Sequence, residues 1–117
     1  MFSVEDIIAT VSLDAKLFNI PEEDSASDYF IMRADGNGMV NAGVHNNDMM
    51  IFKKTDEAPF GSLVAVEYKG DLMFRRLLQK DTNYVLRREN NETPDIITND
   101  VKILGVLVSL VRNFVLQ

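Results

Sequence analysis

The chain has 117 residues, 46% of them hydrophobic, with no cysteine and a single histidine, His45. That suits one domain with an apolar core of its own and excludes a disulfide scaffold and a thiolate metal site; a lone histidine cannot build a metal centre either, so no metal and no cofactor are expected. Eighteen acidic residues against twelve basic ones leave a net charge of −6, a poor match to a phosphate backbone, and direct nucleic-acid binding is not expected.

Residues 1–20 hold the one helix-like stretch. Phe2, Ile7, Ile8, Val11 and Leu13 fall partly at helical spacing, and Ser3 with Asp6 resembles a capping box; a frayed arm fits nearly as well. Pro21 to Ser25 is a polar break. Residues 1–27 are therefore read as an N-terminal arm and linker, and residues 28–117 as the domain. From Asp28 on the pattern is short strands: Tyr29 to Arg33, Met49 to Phe52, Leu63 to Tyr68, Leu72 to Leu78, Tyr84 to Arg87, Ile96-Ile97, and a long run from Val101 to Phe114. Lys69-Gly70-Asp71 reads as a tight turn in which Gly70 takes positive φ. The expected fold is mostly β, a sandwich or partly closed barrel. No signal peptide is seen, and the apolar run Ile103 to Val111 is too short to span a bilayer as a helix, so a cytoplasmic location without membrane contact is expected. The arginine pairs Arg75-Arg76 and Arg87-Arg88 sit in strand-like runs, where alternation sends neighbours to opposite faces; solvated faces and salt bridges are the expected roles.

The order of segments resembles the peptidase domain shared by LexA, UmuD and many phage repressors, a fold also related to signal peptidases. That family reads Ser-Gly-x-Ser-Met, Gly-Asp-Leu-Leu-x-Val, Gly-x-x-Val-x-Ala, Val-Lys-Arg-Leu, an Asn-containing loop, then Gly-Val-Val-x-x-Val-Val-Arg. Here the corresponding pieces are Asp35-Gly36-Asn37-Gly38-Met39, Asn47 to Phe52, Gly61 to Val66, Phe74-Arg75-Arg76-Leu77, Arg88-Glu89-Asn90-Asn91 and Gly105 to Arg112. Each piece is weak; six in the right order, over about residues 28–114, are not.

The resemblance implies peptide hydrolysis by a serine with a neutral lysine as base. Both positions depart from it. The serine position is Gly38, and the lysine position is Arg75, which stays charged and cannot accept the proton. No catalytic residue is therefore expected, only degenerate positions with their neighbours Asp35, Gly36, Asn37 and Met39. The paired substitutions make Asp35 a candidate ion-pair partner of Arg75, the alternative being two unrelated solvent-exposed charges. The one Ala-Gly pair, Ala42-Gly43, follows the serine position, whereas the family's scissile bond precedes it; the chain resembles a cut product or a domain without a cleavable segment, and the arm is too short for the family's three-helix DNA-binding domain. Ser3, Ser12, Ser25 and Ser27 suit capping and turn roles, Lys80 a surface turn, and His45 a surface loop. Met32, Met39, Met49, Met50 and Met73 suit core packing first and a peptide groove second.

The leading expectation is a catalytically inactive dimerisation or interaction module, pairing with itself or with a related repressor or UmuD-like subunit. The resemblance implies a setting in the SOS response or phage-type regulation. Ile103, Val106, Val108, Leu110, Arg112 and Phe114 are the candidate interface, which the resemblance implies forms partly by pairing sheet edges; the competing reading makes this run a central strand of its own sheet, and both can hold on different faces. The alternatives are a self-processing serine peptidase using other residues, and a polymerase-associated, UmuD-like mutagenesis factor.

Overall fold

A computed structural model describes residues 23–36, 38–90 and 92–112. The arm's helical reading, Asn37 and Phe114 lie outside these residues. Among the described residues seven strands form: β1 (Tyr29–Arg33), β2 (Met49–Lys54), β3 (Leu63–Tyr68), β4 (Asp71–Lys80), β5 (Asn83–Arg87), β6 (Ile96–Thr98) and β7 (Lys102–Val111). No α-helix occurs among the described residues, and none is long and apolar enough to cross a membrane. The strands make one antiparallel sheet, ordered β1-β2-β7-β3-β4-β5-β6 and curled into a half-barrel. Of the two expected forms, the chain adopts the partly closed barrel.

The turns follow from local chemistry. Tyr68 pairs with Asp71, so Lys69 and Gly70 alone reverse the chain, both at positive φ as a two-residue hairpin of this twist requires. Asp81-Thr82 reverses the chain between Lys80 and Asn83, with Asp81 at positive φ and Thr82 not. Curvature comes from β7. Against β2 its register shifts between Ile51 and Phe52, leaving Val108 as an extra residue; against β3 it shifts between Ala65 and Val66, leaving Leu104 as one. Such bulges bend a strand and increase its twist. Between them, Gly105 passes under the Phe30 ring and against the Lys53 carbonyl; a Cβ there would lie 2.7 Å from both.

The strands β1, β2 and β3 each bury three consecutive residues, so both of their faces are covered. One core joins Phe30, Ile31, Met50, Phe52, Ala65 and Phe74. Its centre is aromatic: Phe30 stacks on Phe52 at 5.1 Å, and Phe74 meets Phe52 edge-on at 5.6 Å. A second core, Val64, Val66, Leu77, Leu86 and Ile103, lies under the β4–β5 hairpin. The long last run is a central strand between β2 and β3, and the sheet edges are β1 and β6. Strand β2 pairs with Gly105–Val111 and β3 only with Lys102–Val106, so one edge of the Leu107–Val111 half has no strand partner among the described residues.

Candidate functional site

A cleft of about 520 Å³ opens where the loop after β1 faces the start of β4 and the end of β5. The loop is pinned in place. Ala34 N–H donates to Asp48 O and Asn47 N–H to Ala34 O, both at 2.8 Å; Gly36, at positive φ, donates to Asn46 Oδ1. Farther along, Asn41 N–H donates to Glu89 O at 2.8 Å, which ties the loop to the segment following β5.

The strongest anchor is Asp48, 1% exposed, whose carboxylate takes two hydrogen bonds from Arg112, at 2.7 and 2.6 Å. His45 N–H adds a third at 2.7 Å, and Arg112 also donates to Gly43 O. The Arg112 contact holds the Asp48 carboxyl below the usual carboxylate range, and burial opposes it. Arg112, expected at an interface, thus engages its own chain. Ala42 and Gly43 lie at the end of a 3-10 turn, Val40–Ala42, with Gly43 left-handed, so this Ala-Gly pair is not extended.

Gly36, Gly38, Met39, Asp35 and Arg75 all line the cleft. Two features differ from expectation. Asp35 is exposed and makes no ion pair with Arg75; the Arg75 guanidinium donates instead to Phe74 O at 2.8 Å. And Arg88, expected on a solvated face, turns into the cleft. Its guanidinium stands over Gly38: a Cβ on Gly38 would lie 2.6 Å from the guanidinium carbon. Burial pushes the Arg75 pKa down, and the nearby Arg88 charge adds to that. Alternation itself holds. Arg76 pairs with Glu89 and Arg87 with Asp95, the expected surface bridges, while their neighbours face the cleft.

Arg88 was legible in principle. A two-residue turn at Asp81-Thr82 fixes Lys80 opposite Asn83 and Arg76 opposite Arg87. One step further along the same register brings Arg75 towards Arg88. The Asp48–Arg112 pair, 64 residues apart, had no such signal. Four of the five singled-out methionines, Met32, Met39, Met50 and Met73, line the cleft; Met39 and Met50 are also buried core. Ser25 and Ser27 bond to each other, and Ser25 bonds to Asp28, in the turn before β1. His45 and Lys80 are exposed. Of the candidate interface, Ile103 is buried in the second core, whereas Val108 and Leu110 are 42% and 39% exposed.

The chain is similar to LexA repressors. It is 30% identical to that of Caldicellulosiruptor saccharolyticus over 112 residues, covering 96% of this chain and 52% of the repressor. With the repressor of Lactobacillus acidophilus it shares 33% over 114 residues, 97% of this chain and 52% of the relative. With that of Lactobacillus delbrueckii it shares 38% over 88 residues, 74% and 43%. The chain spans about half the length of the curated relatives it matches. The Peptidase S24-like family model matches residues 1–108. With that match over nearly the whole chain, and LexA relatives at 30% identity or more, the chain belongs to the Peptidase S24-like family.

Proposed function

We infer that this chain is a catalytically inactive LexA/UmuD-like domain that acts as a dimerisation or protein-interaction module in SOS-response or phage-repressor-type regulation. The observation that carries the reading is the occupation of the cleft. Hydrolysis in this family's manner needs a hydroxyl beside an uncharged amine. Position 38 has no side chain, and the space beside it holds the Arg88 guanidinium. Arg75 remains a cation even with its pKa pushed down, since a guanidinium does not lose its proton in the working range.

An interaction role is supported by the scaffold, which keeps two packed cores and a pinned loop around that cleft. The surface assigned to pairing is the face of β7 that carries Val108 and Leu110, exposed apolar residues two apart on one strand. The same half of β7, Leu107–Val111, also has one edge that no strand pairs among the described residues. The partner is a second copy of the domain or a related repressor or UmuD-like subunit. Sedimentation of the domain, alone and mixed with a LexA-type peptidase domain, tests it. A dimer that Val108→Lys with Leu110→Lys dissociates is the expected result. A monomer at all concentrations, with and without that partner, overturns the interaction role. Intact mass after long alkaline incubation tests the inactivity separately: an unchanged mass is expected, and a time-dependent cleavage overturns it.

A further inference from the structure

The arginines of this chain divide into two sets. Arg76, Arg87 and Arg112 each hold a carboxylate. Arg33, Arg75 and Arg88 make no ion pair among the described residues, and all three line the cleft. In a chain of net charge −6, the arginines left without a counter-charge are gathered in one place. The one carboxylate on the lining, Asp35, is exposed and makes no ion pair with any of them. Arg88 shows the deficit most sharply: its Nε is buried and has no hydrogen-bond partner. Buried donors are nearly always satisfied, so one that is not calls for an acceptor.

We propose that the cleft is a binding site for a peptide carboxylate, held between the guanidinium groups of Arg75 and Arg88. A carboxylate fits a guanidinium fork through two parallel hydrogen bonds and supplies the charge that two adjacent cations lack. The rest of the lining selects what carries it. Met32, Met39, Val44, Met50 and Phe74 make the walls largely apolar, and the volume is that of a site for a ligand well beyond a small inorganic anion. The occupant is therefore an apolar peptide segment with one carboxylate, either at its C-terminus or on an acidic side chain. This goes beyond the pairing role and does not rest on it, because a monomer could bind such a peptide equally well.

Calorimetric titration of the full chain at low salt separates the sources. The probes are acetyl-Val-Val-Ala as the free acid, its C-terminal amide, acetyl-Val-Asp-Val amide, and inorganic phosphate. Binding of the free acid or of the Asp peptide is expected at least about tenfold tighter than the plain amide, one charged contact being sufficient for that factor. The tighter of the two identifies the source. Arg88→Met and Arg75→Met each weaken it about tenfold or more; Arg87→Met, whose partner is Asp95, leaves it unchanged. Should a cleft variant fail to fold, the wild-type affinity between about 20 and about 500 mM salt decides, since it must fall as the charges are screened. Equal affinity for acid and amide, no binding of either carboxylate peptide, phosphate binding as tightly as the peptide, or an affinity indifferent to salt overturns the proposal.

Discussion

Replacing Arg88 with methionine is expected to stabilise the free protein. The substitution keeps an unbranched stem and removes a cation whose buried Nε has no partner. An unsatisfied buried N–H costs about 1–3 kcal/mol, and hydrogen bonds to charged groups sit at the upper end. Removing the group also ends the repulsion with Arg75, the interaction that helps push the Arg75 pKa down. Against this stands the packing of the guanidinium over Gly38. That loss is small, because the vacated space faces an open cleft that water enters rather than a sealed core. The balance is a gain of about 1–2 kcal/mol, or a rise in Tm of about 4–10 °C for a domain of this size. Thermal melts by circular dichroism at low salt, with urea titration as a second measure, read it directly. Arg87→Met is the comparator: it gives up two hydrogen bonds to Asp95 and gains nothing. A Tm for Arg88→Met that is unchanged or lowered refutes the reasoning and makes Arg88 a structural residue of the loop.

The two crowded glycines are expected to behave oppositely. Gly105→Ala drives a Cβ against a backbone carbonyl and a buried ring and destabilises by about 2–3 kcal/mol, whereas Gly38→Ala meets the movable end of Arg88 and stays within about 1 kcal/mol in urea unfolding. For the loop anchor, the Asp48 carboxyl is held below its unfolded value, so the pair contributes fully above about pH 4 and is lost as the pH falls through the depressed value. Melts from about pH 7 to about pH 2 should show that acid slope in the wild type and lose most of it, along with several degrees at pH 7, in Arg112→Met. Tyr29 is raised to about 12, first by burial and then by its hydrogen bond to Asp24. A raised folded value means stability that is complete below pH about 10 and lost as the pH rises towards 12; phenolate absorbance should show a tyrosine that ionises only as the pH nears about 12 and that Tyr29→Phe removes. Finally, Gly38→Ser with Arg75→Lys and Arg88→Met should acquire labelling by a serine-directed fluorophosphonate at alkaline pH. Gly38→Ser alone should not, because Arg75 cannot take the proton.

The strands were legible because this sheet announces itself locally. Tyr29 to Arg33 and Leu63 to Tyr68 appear with the bounds their apolar runs suggest, and Lys69-Gly70 turns as its chemistry requires. Strand β4 is longer than its apolar stretch at both ends, because Asp71 and Lys80 pair across tight turns that cost them no burial. The site was legible only along the chain. Gly38, Met39 and Arg75 could be named because motifs run with the sequence. What faces Gly38 comes from another strand, and a composition-level reading of Arg87-Arg88 as surface charge described one of the two correctly. The expected Asp35–Arg75 bridge failed for the same reason: sharing a cleft does not place two side chains in contact, and Asp35 sits on its exposed rim.

The positions 38 and 88 cannot be considered separately. A side chain at 38 and the guanidinium of Arg88 claim the same volume, so the structure accommodates one or the other. Glycine at 38 is therefore the condition under which Arg88 can enter the cleft, and Arg88 in turn places a second, half-buried cation beside Arg75. On the proposed reading, what removes the nucleophile also changes the charge of the pocket, from one suited to a neutral amine to one that demands an anion. A serine at 38 would displace the group that supplies half of that demand. Peptide hydrolysis and carboxylate capture are then mutually exclusive uses of one cleft, and Gly38→Ser should weaken binding of the carboxylate peptide even though it touches neither arginine chemically.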